Sequence, residues 1–173
     1  TKGGKFGFEM MGGAVLVPAK YDLAFDFAGG YARVRKGETY GVIDSTGKEV
    51  IPPVYERLGN VYEGKASMLK GNKWGFVNLS NQVVIEPQYV EVREFTEGVA
   101  AAKQDSLWGY IDSTGKSVLP FKYQDAWPFA ENVAHCLYTD FWGYIDHKGK
   151  VVIPFKFFNA SSMFFISLIG VYF

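Results

Sequence analysis

An aromatic residue followed by glycine returns every 34 residues, at Phe6-Gly7, Tyr40-Gly41, Trp74-Gly75, Trp108-Gly109 and Trp142-Gly143. No insertion or deletion breaks that period, so the chain is constrained to a row of equivalent units that bury their apolar faces against one another. Other columns keep the same step. They include Gly13, Gly47, Asn81, Gly115 and Gly149, then Pro18, Pro52, Pro120 and Pro154, with Pro87 displaced by one. Tyr21, Tyr55, Tyr89, Tyr123 and Phe157 form another column, and Gly30, Gly64, Gly98 and Asn132 each precede Ala32, Ala66, Ala100 and Ala134 by two residues.

A 34-residue period also occurs in helical repeats of the tetratricopeptide kind, so content has to decide the secondary structure. Each unit carries a proline and several glycines at set places, between short runs of Val, Ile, Tyr and Phe. Those runs suit strands and those breakers would interrupt helices. Trp108-Gly109-Tyr110-Ile111, Asp112-Ser113-Thr114-Gly115 and Lys116-Ser117-Val118-Leu119-Pro120 spell a hairpin. The aspartate accepts backbone N–H bonds and the glycine adopts the left-handed conformation, a role Asn81 fills next best. A variable loop comes after the proline, and the second glycine column opens a third strand such as Gly98-Val99-Ala100-Ala101-Ala102-Lys103. The expected fold class is therefore all-β, with about three short antiparallel strands per unit stacked as a β array or solenoid. A closed propeller-like ring is the alternative, although propeller blades typically use four strands and longer units.

The Trp-Gly, Asp-x-x-Gly-Lys, Val-Ile-Pro, Tyr and Phe-x-Glu-Gly landmarks resemble the WG-repeat (KWG) family of bacterial proteins, from roughly Phe6 to Met163. The resemblance implies an all-β array, often joined to other domains, with no catalytic residues to transfer. Units begin near residues 7, 41, 75, 109 and 143, giving an array over 1–163 whose last unit is incomplete. Residues 164–173 read as an apolar tail produced by truncation or a shifted frame, and the start at Thr1-Lys2-Gly3-Gly4 reads as that of a processed or excised fragment without a signal peptide. Met10 stands where Asp44, Asn78, Asp112 and Asp146 hold the turn, and Phe6 and Tyr40 replace tryptophan.

Composition narrows the function classes. Lys plus Arg and Asp plus Glu both number 18, so no net positive field favours nucleic acid. The longest apolar run, Met163 to Phe173, is shorter than a membrane span. A single cysteine, Cys136, excludes an internal disulfide and leaves the compartment open. Self-association through the apolar C-terminal end is a further expectation.

Because the units are copies, each position can be judged against its equivalents. Tyr40-Gly41, Trp74-Gly75, Trp108-Gly109 and Trp142-Gly143, the Ala32 column, and the column Ala24, Leu58, Val92, Ala126 and Ala160 recur, and are assigned to the structural core between repeats. Cys136 aligns with Val34, Met68 and Ala102 and is assigned there too, whereas His135 and His147 align with dissimilar residues and read as variable surface. Neither a metal motif, a phosphate-binding glycine loop nor an acid–base pair is visible, so no cofactor, metal or catalytic residue is expected and the chain reads as a non-enzyme. Singular residues gather in one column of the variable loop, where Phe25, Gly59, Arg93, Trp127 and Ser161 align. Phe25, Arg93 and Trp127 are the candidate partner-binding residues, since Trp and Arg concentrate interface energy. The expected partner is another protein. Glycan or cell-wall binding is the alternative, and would require Tyr31, Tyr62, Trp127 and Tyr138 to point outward as a row.

Overall fold

The computed structural model describes residues 3–158, which form strands and turns with no helix among the described residues. The assignments of Ala160, Ser161, Met163 and the 164–173 tail lie outside them. A hairpin of β1 (Phe6–Glu9) and β2 (Val15–Tyr21) opens the chain. Four sheets come next, each with four strands in sequence order. The first contains β3 (Leu23–Ala24), β4 (Tyr31–Lys36), β5 (Thr39–Asp44) and β6 (Glu49–Tyr55), and the second β7 (Arg57–Tyr62), β8 (Lys65–Lys70), β9 (Lys73–Asn78) and β10 (Val83–Tyr89). The third contains β11 (Glu91–Thr96), β12 (Val99–Gln104), β13 (Leu107–Asp112) and β14 (Ser117–Tyr123), and the fourth β15 (Asp125–Ala126), β16 (Val133–Tyr138), β17 (Phe141–Asp146) and β18 (Val151–Phe157). The three expected strands are present in each of the first four units, and the first two in the described part of the fifth. A fourth, β3, β7, β11 or β15, occupies the stretch read as a loop, because its short variable run carries no alternation that announces a strand.

The recurring glycines have separable causes. In the first sheet Tyr40 pairs with Tyr55 while Val42 pairs with Ile51, so β6 carries a bulge containing Pro52 and Pro53. A Cβ on Gly41 would lie 2.6 Å from the Ile51 carbonyl oxygen and 2.7 Å from Pro53 N. The Trp-Gly glycine is thus required by the bulge crossing in front of it, and proline is tolerated where ladder bonding has lapsed. The Asp-x-x-Gly turns close as expected: Gly47 N donates to Asp44 O at 2.9 Å, and Asp44 Oδ1 accepts from Thr46 N and Lys48 N. Asn81 adopts the left-handed conformation at φ 58°.

At the hairpin between the first two strands of a sheet, both central residues have positive φ, as in Glu63-Gly64, Glu97-Gly98 and Glu131-Asn132. That pattern matches a tight turn whose twist suits the flanking strands.

The second strand of each sheet buries alternate residues: Ala32 and Val34, Ala66 and Met68, Ala100 and Ala102, and Ala134 and Cys136 are all buried, as a period of two requires, and in the third sheet the intervening Ala101 is buried as well. The chain divides into two compact units, 1–94 and 95–173, with the boundary inside β11. In the first, Val42, Ile51, Leu58, Ala66, Met68 and Val77 pack together, so one core is shared by two consecutive sheets. In the second, Tyr110, Leu119 and Tyr123 pack with Ala126, Phe129, Cys136 and Ile145 in the same way.

The Trp-Gly aromatics depart in part from their core assignment. Trp108 is 4% exposed, but Tyr40, Trp74 and Trp142 are only half-buried. Each sits beside the register shift of the bulge, and its burial depends on which side chains of neighbouring strands reach its ring.

Candidate functional site

The candidate column occupies the first strand of each sheet or the residue just after it. Phe25 comes directly after β3, its N–H donating to Arg33 O at 3.0 Å, and Trp127 directly after β15, its N–H donating to His135 O at 3.1 Å. Arg93 lies within β11 and is half-buried. Phe25 is 36% exposed and Trp127 41%. The three residues sit in three different sheets.

Two of these positions belong to a layered arrangement that single columns did not reveal. In the first sheet the Arg33 guanidinium lies 4.1 Å from the Phe25 ring centroid and 5.8 Å from that of Tyr40. Arg33 also donates from Nη1 to Leu58 O, at 2.8 Å, in the next sheet. In the fourth sheet His135 stacks on Trp127 at 5.3 Å with an interplanar angle of 19°, and it also neighbours Trp142 at 5.5 Å. Trp127 is anchored from behind, since Tyr110 Oη donates to its carbonyl oxygen at 2.7 Å. His135, variable in its column and half-buried, is therefore also part of a ring stack. His147, likewise half-buried, stacks on Phe129 at 3.9 Å and its Nε2 lies 2.9 Å from Glu97 Oε2.

The signal for this arrangement was a pair of columns. A ring at 25 or 127 goes with a planar nitrogen group at 33 or 135, whereas small Gly59 goes with small Ser67, and Arg93 with Ala101. Each column taken alone looks variable, because the filler can come from either strand.

The second sheet supplies neither ring nor cation at these two columns, and an open groove of about 540 Å³ appears in the N-terminal unit. Its lining includes Arg33, Arg35 and Tyr40 from the first sheet and Arg57, Gly59 and Trp74 from the second. Burial lowers the pKa of Arg33 from its ordinary value, and nearby Tyr40 opposes that effect. The guanidinium stays charged at any physiological pH.

Cys136 is fully buried, and burial pushes its thiol up to about 12, with a contact to Tyr110 Oη at 3.3 Å as a smaller opposing influence. Such a thiol is protonated and unreactive. The turn carboxylates Asp44 and Asp112 are held below the usual range first by the hydroxyls of Thr46 and Thr114, and then by backbone N–H groups. They cap turns. Among the described residues no group of three or more His, Cys, Asp or Glu is placed to hold a metal ion, and no helix is long and apolar enough to cross a membrane. Of the four aromatics proposed as an outward row, Tyr62, Trp127 and Tyr138 are exposed, while Tyr31 packs against the first unit's core.

Comparison with known proteins agrees with this architecture. A family profile described as WG containing repeat matches residues 12–40, 40–74, 74–108, 108–134 and 142–163. No curated protein matches the chain. Among solved structures, the crystal structure of the eukaryotic initiation factor aligns at 10% identity with a TM-score of 0.53, covering 80% of this chain and 46% of that one. KlHsv2 with loop 6CD replaced by a Gly-Ser linker aligns at 6% identity and a TM-score of 0.49, covering 70% of this chain and 46% of that one. PorZ, a surface component of the type-IX secretion system of Porphyromonas gingivalis, aligns at 11% identity and a TM-score of 0.43, covering 82% of this chain and 22% of that one. The chain thus spans less than half the length of these structures, and the likeness to the initiation factor is one of fold.

Proposed function

Because the chain belongs to the WG-repeat family, whose repeats here devote their recurring residues to turns, bulges and core, we propose that it is a non-catalytic binding or scaffolding module for another protein. Phe25, Arg93 and Trp127, at equivalent positions of their sheets, are the residues with which it engages that partner. One observation carries the reading. Trp127 leaves 41% of its surface exposed while His135 stacks on the ring and Tyr110 holds its backbone. A large ring immobilised in advance loses little entropy when a partner covers it, which is the property of an interface anchor. Non-catalytic fits the remaining groups, since the turn acids share one capping role and the cysteine is buried.

The test compares intact protein with a Phe25→Ala, Arg93→Ala, Trp127→Ala variant in pull-downs from host lysate and envelope fractions, after circular dichroism shows both folded. Loss of a specific protein partner from the variant is the expected result. Equal recovery by both would sink the assignment of these residues. The exposure of Tyr62, Trp127 and Tyr138 favours glycan binding as a second reading, since exposed rings stack on sugar faces. Recovery of cell-wall polysaccharide without protein would replace the first reading by the second.

A further inference from the structure

We infer that the groove of the N-terminal unit receives an acidic side chain of a peptide partner, an aspartate or glutamate next to an apolar residue. The inference rests on the protein-binding reading above and assigns it a partner chemistry. The groove exists because of a local omission: where other sheets carry Phe25, Arg93 or Trp127, the second has Gly59, and Ser67 stands where Arg33 and His135 stand. Trp74 therefore lines open space, facing a wall that includes Arg33, Arg35 and Tyr40. Its volume of about 540 Å³ lies in the range of sites that hold a small ligand or a few residues of a peptide.

Charge selects the occupant. Arg33, Arg35 and Arg57 line the groove together with Glu38 and Glu56, leaving one surplus positive charge. One carboxylate balances that surplus, whereas a phosphate dianion would overshoot it beside two glutamates. Arg33, Arg35 and Arg57 all belong to the lining, and guanidinium groups pair with carboxylates through paired N–H donors. Tyr40 and Trp74 offer ring surface for the neighbouring apolar residue. A peptide is favoured over a sugar acid because β7 is the edge strand of its sheet and contributes Arg57, Leu58 and Gly59 to the lining. The Leu58 carbonyl is already held by Arg33, so it is the edge backbone on either side of Leu58 that a second peptide backbone would meet.

The test uses the full chain and a fluorescein-labelled hexapeptide of alternating glutamate and leucine, with the glutamine counterpart as control, read by fluorescence anisotropy. Binding of the glutamate peptide alone is expected, weakened about tenfold or more by Arg57→Gln, as for loss of a charge-assisted hydrogen bond. Arg57 and Glu56 are both exposed, so neither variant threatens folding. Glu56→Gln should tighten binding several-fold by removing a like charge, and higher salt should weaken it. The proposal is overturned by no binding at about 1 mM peptide, by indifference to both substitutions, or by inorganic phosphate or a galacturonate oligomer displacing the peptide at lower concentration than unlabelled peptide does. If the peptide fails while the lysate partner is still captured in a manner that depends on Phe25 and Trp127, the groove assignment falls and the binding module stands. Failure of both removes the module as well.

Discussion

The first and fourth sheets solve one packing problem with different chemistry. In the first, a permanent cation, Arg33, lies between Phe25 and Tyr40; in the fourth, the imidazole of His135 lies between Trp127 and Trp142. Both use a flat nitrogen-bearing group to cover ring faces, and the arginine also reaches on to the neighbouring sheet, through its bond to Leu58 O. The lesson is that these columns vary as a set. The layer between the first strand and the Trp-Gly ring is filled differently from sheet to sheet, and the identity of the filler is free to serve recognition. In the second sheet Gly59 and Ser67 supply neither ring nor cation, and a groove opens beside Trp74.

The largest expected effect separates the aromatics at the base of that layer. Trp108→Ala should cost about 3–5 kcal/mol, as for a buried ring, whereas Trp142→Ala should cost about half as much because its ring is only half-buried. Urea denaturation checks this, and equal losses would mean that both rings serve the core alike.

Next come the fillers themselves. Arg33→Ala should cost about 1–3 kcal/mol, combining loss of the ring contacts with loss of the bond to Leu58 O. His135→Ala should cost about 1 kcal/mol or less, since Ala101 already occupies the same column in the third sheet. Arg33→Lys discriminates geometry from charge: wild-type stability for that variant would show that charge alone suffices and that the planar stack does not matter.

Cys136 sharpens the contrast between the two faces of β16, because it adjoins His135 and points into the core. With its thiol pushed up to about 12, alkylation by iodoacetamide at pH 8 should be negligible in the folded protein and prompt in urea. Comparable rates in both would contradict the burial.

The smallest effect is one in which the hairpin turns of the first and third sheets should agree. Asp44 and Asp112 have folded pKa values depressed first by Thr46 and Thr114. Their contribution to stability is therefore fully present above the ordinary carboxylate pKa of about 4 and is lost as pH falls through the lower folded value. Asp44→Asn and Asp112→Asn should each reduce the acid dependence of the urea midpoint by similar amounts. A large difference would show that the turns are not equivalent.

Much of this was legible in the chain itself. Gly47 and Asn81 identified the hairpin turns, and the Ala32 column identified the buried strand, because backbone conformation and period-two burial are local constraints that each repeat must satisfy alone. The column containing Phe25, Arg93 and Trp127 also stood out by its variation. What escaped were β3, β7, β11 and β15, too short or too irregular in pattern to announce themselves, and the roles of Arg33 and His135. Trp74, Trp108 and Trp142 look identical in sequence yet differ in burial.

By itself, then, the sequence determined a row of all-β units, their turns, their Trp-Gly and proline landmarks and the inward face of each central strand, because sterics and alternation act within a few residues. Only the tertiary structure decided which ring is covered, which cation covers it and where a groove is left open. Those outcomes depend on side chains far apart in the chain, such as Arg33 and Leu58 or Glu97 and His147, and no local rule specifies which of several strands will supply the atoms that fill a shared layer.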